Sequence, residues 1–298
     1  MEIPADGDVR NPPRGLSVRG DGVSHMNVRE KAELLQSLHV PGRPLLLANA
    51  WDAASAAVGA AAGAPAVATT SAGLAWSLGA ADGDRIDRDL ALAAVARIAA
   101  AVDVPVTADV ERGFGADAAG VADTVRGVLS AGAVGVNLED SVGGGLRPVA
   151  EAAERVAAAR AAADEAGVPL YVNARTDVFL RGVGEPDERV DLTLERAAAY
   201  LEAGASGVFV PGLADLATIA ALTKAIAAPV NVLAGFGSPP VAELAAAGVA
   251  RVSLGASVAA AAYRLAARAT AELLTAGTYE EVRETYDWPG IQGLFTRG

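Results

Sequence analysis

The 298-residue chain has no cysteine and only two histidines, His25 and His39. Disulfides, thiolate zinc sites, cysteine nucleophiles and iron–sulfur clusters are thereby excluded, and any metal must be held by oxygen ligands. Positive charge is scarce as well: 24 Lys and Arg stand against 36 Asp and Glu, a formal charge of −12. That balance argues against nucleic acid or an anionic membrane surface as a partner. Long apolar runs are also missing. No stretch reaches about 18 strongly apolar residues, and the alanine-rich segments are interrupted by Arg, so no membrane span is expected. What is left is 52% hydrophobic and 20% charged, a composition that can bury a large core. A cytoplasmic enzyme is the default expectation.

Residues 1–26 are rich in Gly, Pro, Asp and Arg and carry no apolar run that could form a signal-peptide core; they read as a disordered extension. Amphipathic helical sequence begins at Val28 and runs to Leu38. Residues 27–298 read as one domain in which short β-type runs alternate with longer alanine-rich helical segments, the pattern of repeated βα units around a parallel sheet. The candidate strands are Leu45–Ala50, Ala66–Thr70, Val104–Val110, Gly135–Asp140, Leu170–Thr176, Gly207–Pro211, Val230–Ala234 and Arg251–Leu254. Gly63, Gly132, Gly167, Gly204 and Gly248 each stand between a helical segment and the next strand, the place of a helix C-cap. Eight such units in about 250 residues predict a (β/α)8 TIM barrel, and no G-x-G-x-x-G fingerprint follows the first strand to favour a doubly wound sheet.

In such a barrel the active site lies at the C-terminal ends of the strands, so charged residues there need explaining. The third strand ends in Asp109-Val110-Glu111, the fourth in Asn137-Leu138-Glu139-Asp140 and the fifth in Asn173-Ala174-Arg175-Thr176-Asp177. The period of two aims Asp109, Glu111, Glu139 and Arg175 at one mouth. Carboxylates this close repel and partly protonate unless a cation lies between them. With no Cys and no usable His, the fitting ion is hard and divalent, Mg2+ or Mn2+, held partly through water, with Arg175 facing the anionic end of a small substrate. The competing reading is a buried salt-bridge network that closes the barrel top. Asp52 reads as the N-cap of the helix that follows it. Ser71-Ala72-Gly73 follows the second strand, where backbone N–H groups can cradle a carboxylate. Asp82 and Asp84 lie in the next loop. The loops Gly235–Ser238 and Gly255–Ser257 occupy a common phosphate-binding place, which keeps open a metal-independent barrel enzyme for a phosphorylated metabolite.

The series Asn49-Ala50-Trp51-Asp52, Thr69-Thr70-Ser71, Asp109 to Gly115, Asn137 to Asp140 and Asn173 to Asp177 resembles the isocitrate lyase/phosphoenolpyruvate mutase superfamily, in order, from about residue 28 to the end of the eighth strand. The resemblance implies Asp109 as the principal Mg2+ ligand, with Glu111 and Glu139 holding the ion through water. It implies substrate binding by Ser71, Ala72 and Gly73 and by Arg175, and catalytic roles for Asp82, Glu111 and Arg175. Asn173 and Asn231 are placed with the substrate-binding residues. The implied chemistry breaks or rearranges a C–C or P–C bond of a small 2-oxo or 2-hydroxy carboxylic acid or phosphonate through an enolate. Family members commonly exchange their last helix between subunits, which implies a homodimer or homotetramer; the tail carrying Tyr279, Tyr286, Trp288 and Phe295 is expected to dock onto the barrel or onto a neighbouring subunit. The departures are equally specific. The lyase Lys-Lys-Cys-Gly-His or Lys-Arg-Cys-Gly-His loop is replaced by Ser141-Val142-Gly143-Gly144-Gly145-Leu146-Arg147-Pro148, Ala72 stands at the centre of the Ser-Gly-Gly segment, and Pro211 replaces the acid at the end of the sixth strand. Ordinary isocitrate or methylisocitrate lyase activity is therefore not expected, and a non-catalytic member is the remaining alternative. Glu111, Asp140 and Arg147 are the candidates for proton handling, and Gly143–Gly145 is the expected gate.

Overall fold

The computed structural model describes residues 26–296. The expected N-terminal extension therefore lies, apart from Met26, outside the described residues. Eight parallel strands form the sheet: β1 Leu45–Leu47, β2 Val67–Ala68, β3 Val106–Asp109, β4 Gly135–Glu139, β5 Tyr171–Arg175, β6 Gly207–Val210, β7 Val230–Leu233 and β8 Arg251–Ser253. Each pairs with its sequence neighbour and β8 returns to β1. The last gap, between β1 and β2, is spanned by a single parallel bridge, Ala50 to Thr69, in which the Ala50 N–H donates to the Ala68 carbonyl at 2.7 Å and the Thr70 N–H to the Ala50 carbonyl at 3.0 Å. The strands thus curl into the expected (β/α)8 barrel.

All eight strands fall within the runs read from the sequence, but they are shorter, because the chain leaves the extended conformation where the mouth begins. Asn49, for instance, takes φ +53° just after β1. The five helix-terminating glycines all have φ between +67° and +98°, the left-handed conformation that a C-cap glycine supplies without a Cβ penalty. Asp52 caps Ala53–Ala61 as expected, accepting the Ser55 N–H at 2.7 Å.

The helix Val28–Ser37 opens with a capping box between Asn27 and Glu30 and plugs the N-terminal end of the barrel, where Ala32 and Leu35 pack on Leu45, Leu47, Ala68, Val134 and Tyr171. His39 stacks on Tyr171 at that floor, 3.7 Å between ring centroids. It is therefore remote from the strand C-termini. Burial and the nearby Arg251 charge hold it neutral, with its pKa lowered to about 3.

Two segments differ from simple connecting loops. Between β4 and the helix Val149–Glu165, residues Ser141–Val142 and Gly145–Leu146 pair as a small antiparallel hairpin. Gly143, at φ +56°, forms its turn, so the expected gate is a hairpin tip. The helix Ser257–Thr275 buries only Ala259. Its base rests on the helix Ser71–Ser77, with Tyr263 edge-on to Trp76 at 6.3 Å. Beyond that it folds back on its own tail: Glu272 accepts the N–H groups of Glu280 and Glu281 at 2.8 Å each, and Arg268 pairs with Glu281 at 2.8 Å. The tail aromatics Tyr279, Tyr286, Trp288 and Phe295 are all exposed, as are Leu273 and Leu274. Among the described residues, no helix is long and apolar enough to cross a membrane.

Candidate active site

Register brings the predicted residues to one end. Asp109 closes β3 opposite Asn137, and Glu139 closes β4 opposite Arg175 at the end of β5. Glu111 lies two residues beyond β3. Because its backbone is left-handed (φ +50°), it turns out of the strand direction, and its N–H comes back to Asp109 Oδ1 at 3.4 Å. Asp109 is fixed from the β2 side: its own N–H donates to Thr69 Oγ1 at 2.8 Å, and its Oδ2 accepts the Ser71 N–H at 3.1 Å.

The two acids of this loop stand apart from the ion pairs around them. Among the described residues, neither Asp109 nor Glu111 forms a salt bridge. Glu111 is 3% exposed; one of its oxygens accepts the Asp84 N–H, while Oε1 is buried without a partner. Burial, reinforced by the charges of Asp84, Asp109 and Asp82, pushes its pKa up to about 8 against the opposing Asp84 N–H. Glu139 is pushed up to about 7, first by burial and then by Asp177 and Asp109, with Arg175 and the Ser141 hydroxyl opposing. Asp82, exposed at the rim, is raised by partial desolvation and by Asp109.

Glu139 does form part of a salt-bridge network. Arg175 Nη1 is 2.9 Å from Glu139, its Nε and Nη2 reach Asp177 at 2.6 and 3.1 Å, and its guanidinium lies 5.7 Å from the Phe209 ring centroid. Asp177 is fully buried and donates its N–H to Asp140 at 3.0 Å; Asp140 in turn accepts Arg196 at 3.1 Å and the Tyr200 hydroxyl at 2.8 Å. These bonds hold Asp140 as a strut behind Arg175, and Arg147 pairs outward with Glu151. Salt bridges thus tie Glu139 to Arg175, and among the described residues Asp109 and Glu111 take no part in them.

An oxygen-only donor set with an orphaned buried carboxylate oxygen suits a hard divalent cation. Among the described residues no three acid or histidine side chains converge as a ready-made metal cage.

Of the proposed N–H cradle, Ser71 is engaged by Asp109, and Gly73 donates to the Thr70 hydroxyl at 3.5 Å. Ala72 occupies the second helical position, whose N–H has no intrahelical acceptor. Asn173 and Asn231 lie deeper: Asn173 Nδ2 donates to Asn137 at 2.8 Å and to Asn231 at 3.0 Å, all three being buried. They form the layer beneath Glu139 and Arg175. In the loops proposed for phosphate, the Leu254 and Gly255 N–H groups are taken by Asn49 Oδ1 at 3.0 and 3.1 Å, and the Gly235 N–H by Ser238 at 3.0 Å. Asn49, which also donates to the Thr69 carbonyl at 3.0 Å, therefore ties β1, β2 and β8 together, a role that only its short polar side chain and left-handed backbone hinted at.

Residues 35–274 match the family model of phosphoenolpyruvate phosphomutase. The chain is 38% identical over 219 residues to the uncharacterized protein Rv1998c of Mycobacterium tuberculosis H37Rv, covering 73% of this chain and 80% of that one. It is 33% identical over 223 residues to the 2-methylisocitrate lyase of Escherichia coli K12, covering 68% and 73% respectively. A candidate lyase/mutase from Burkholderia cenocepacia J2315 superposes with a TM-score of 0.84 at 39% identity, over 91% of this chain and 97% of that one. The matched span includes all eight strands and every residue of the acid-lined mouth, and the chain belongs to the phosphoenolpyruvate mutase/isocitrate lyase superfamily.

Proposed function

We propose that the protein is a Mg2+-dependent lyase or mutase that cleaves or rearranges a C–C or P–C bond of a small 2-oxo or 2-hydroxy carboxylic acid or phosphonate. The observation that carries this reading is the pair Asp109 and Glu111 at the C-terminal mouth of the barrel, neighbouring acids that form no salt bridge among the described residues, with Glu111 Oε1 buried and unpartnered. Asp109 is the direct ligand in this reading, and Glu111 and Glu139 hold the ion through water. When bound, Mg2+ supplies Lewis-acid stabilisation of the negative charge that develops beside the bond being broken. The Ala72 N–H and Arg175 orient the substrate's anionic groups, with Arg175 kept in place by Asp177 and with Asn173 and Asn231 supporting the layer beneath. Asp82 is the acid at the solvent edge, where its raised pKa suits proton exchange with substrate.

The family relatives named 2-methylisocitrate lyase support a carboxylic acid substrate. The loop Ser141–Pro148, without Cys, His or Lys, points away from their particular proton chemistry. The exposed apolar arm from Ser257 onward supports exchange between subunits in a homodimer or homotetramer. A panel of oxaloacetate, phosphonopyruvate and substituted malates with Mg2+, followed by NMR, tests the reading. Product release should be abolished by EDTA and by Asp109→Ala; turnover that persists in EDTA would overturn it.

A further inference from the structure

We propose that Arg155 is a positioning residue for the metal-binding loop: its guanidinium fixes the backbone that presents Glu111. The inference rests on the Mg2+ reading above and adds a residue that stands outside the mouth. Arg155 lies on the helix Val149–Glu165, is 2% exposed, and aims its fork at the β3 exit loop. Nη1 donates to the carbonyls of Arg112 and Gly115 at 3.2 and 3.1 Å, and Nη2 to that of Ala116 at 2.5 Å. Its one ion-pair contact within 4 Å among the described residues is to Glu151, at 3.9 Å. A buried cation met mainly by carbonyls is a costly arrangement, and here all three carbonyls belong to one short segment.

That segment needs holding. Glu111, Gly113 and Phe114 have φ of +50°, +92° and +49°, and a non-glycine residue in the left-handed region costs on the order of 1 kcal/mol or more unless its surroundings over-determine it. Thr124 Oγ1 adds a second tie, to the Gly113 carbonyl at 2.7 Å. Without these ties the loop has an incentive to relax toward ordinary φ values, which would swing the Glu111 carboxylate away from Asp109. The planar fork reaches the three carbonyls from two nitrogens held at a fixed spread; an ammonium, a single point charge on a flexible stem, does not reproduce that spread.

The same helix supplies its own control. Arg160, five residues on, also donates to backbone carbonyls, Gly204 at 3.0 Å and Leu170 at 2.8 Å, but these precede β6 and β5 at the opposite end of the barrel. The test is Mn2+ titration by electron paramagnetic resonance on wild type, Arg155→Met, Arg155→Lys, Thr124→Val and Arg160→Met, with a thermal melt for each. Arg155→Met should weaken Mn2+ binding by roughly ten- to a hundredfold, the range seen when supporting partners of metal ligands are removed. Arg155→Lys should weaken it less, and Thr124→Val in the same direction, while Arg160→Met should lower the melting temperature and leave Mn2+ affinity at the wild-type value. If Arg155→Met fails to fold, Arg155→Lys and Thr124→Val carry the comparison. Wild-type Mn2+ affinity in the folded Arg155 and Thr124 variants would overturn the inference. Wild type that binds no Mn2+ would instead overturn the metal-site reading on which it rests.

Discussion

Lowering the pH from 8 to 6 should weaken Mg2+ binding steeply, because the ion must displace protons from the carboxylates that receive it. In the metal-free protein Glu111 sits at about 8 and Glu139 at about 7, both raised chiefly by burial. A ligand must be deprotonated to bind, so each group loses affinity tenfold per pH unit below its pKa. If only Glu139 must ionise, affinity falls about tenfold between pH 8 and pH 6; if Glu111 must ionise as well, the loss approaches roughly 500-fold. Isothermal titration calorimetry at pH 6, 7 and 8, in buffers of different ionisation enthalpy, measures both the affinity and the protons released. At pH 6, where both groups are protonated in the absence of the ion, Glu111→Gln and Glu139→Gln should each remove close to one proton from the count. Affinity that is flat across this range, with no proton release in wild type, would refute the assignment of these acids to the ion.

The same shifts set the stability of the metal-free protein. A carboxyl held above its ordinary value of 4.5 is protonated when folded and ionised when unfolded, so folding is opposed as pH rises between the two values, by at most about 1.4 kcal/mol per pH unit per group. With EDTA present, urea midpoints should fall from pH 5.5 to 8 and then level, and Glu111→Gln should flatten that slope; an unchanged slope in the variant removes Glu111 from the account. Gly73→Ala should destabilise by about 1–3 kcal/mol, since its Cβ would lie 2.8 Å from Thr70 Cγ2, 2.9 Å from Trp51 Cβ and 3.1 Å from Ala259 Cβ; a melt equal to wild type contradicts that packing. If the arm is exchanged as proposed, Leu273→Glu combined with Leu274→Glu should give a smaller species than wild type by size exclusion with light scattering, and a monomeric wild type would refute exchange of the arm.

The barrel was legible because its signals are local and repeated: an apolar run follows a helical segment eight times, and five of those runs are announced by a helix-terminating glycine. The acids at strands three and four were legible because a charge at a strand end breaks the alternation that burial would impose. What alternation cannot carry is side-chain partnership across the sequence. The sequence places Arg175 at the mouth but not its bonds to Glu139 and Asp177, a geometry set by Asp140 and Tyr200 from a neighbouring strand end and a distant helix. The bonds of Asp140 to the Asp177 N–H, Arg196 and Tyr200 are likewise invisible to alternation. Arg155 reads in the sequence as one more arginine in an alanine-rich helix, and only the fold shows its fork against three carbonyls of the Glu111 loop. The hairpin at Ser141–Leu146 was hidden because its strands are two residues long, too short for a period of two to register.

In the proposed reaction Asp109 and its neighbours hold a divalent ion that an anionic 2-oxo acid then joins. Mn2+ titration with and without oxalate, a planar dianion shaped like the enolate of a 2-oxo acid, tests it most directly. One ion per chain should bind, more tightly with oxalate than without, and Asp109→Ala should abolish both effects in a protein that still melts cooperatively. Mn2+ that stays free at millimolar wild-type protein, or an Asp109→Ala variant that binds it as wild type does, would contradict the account.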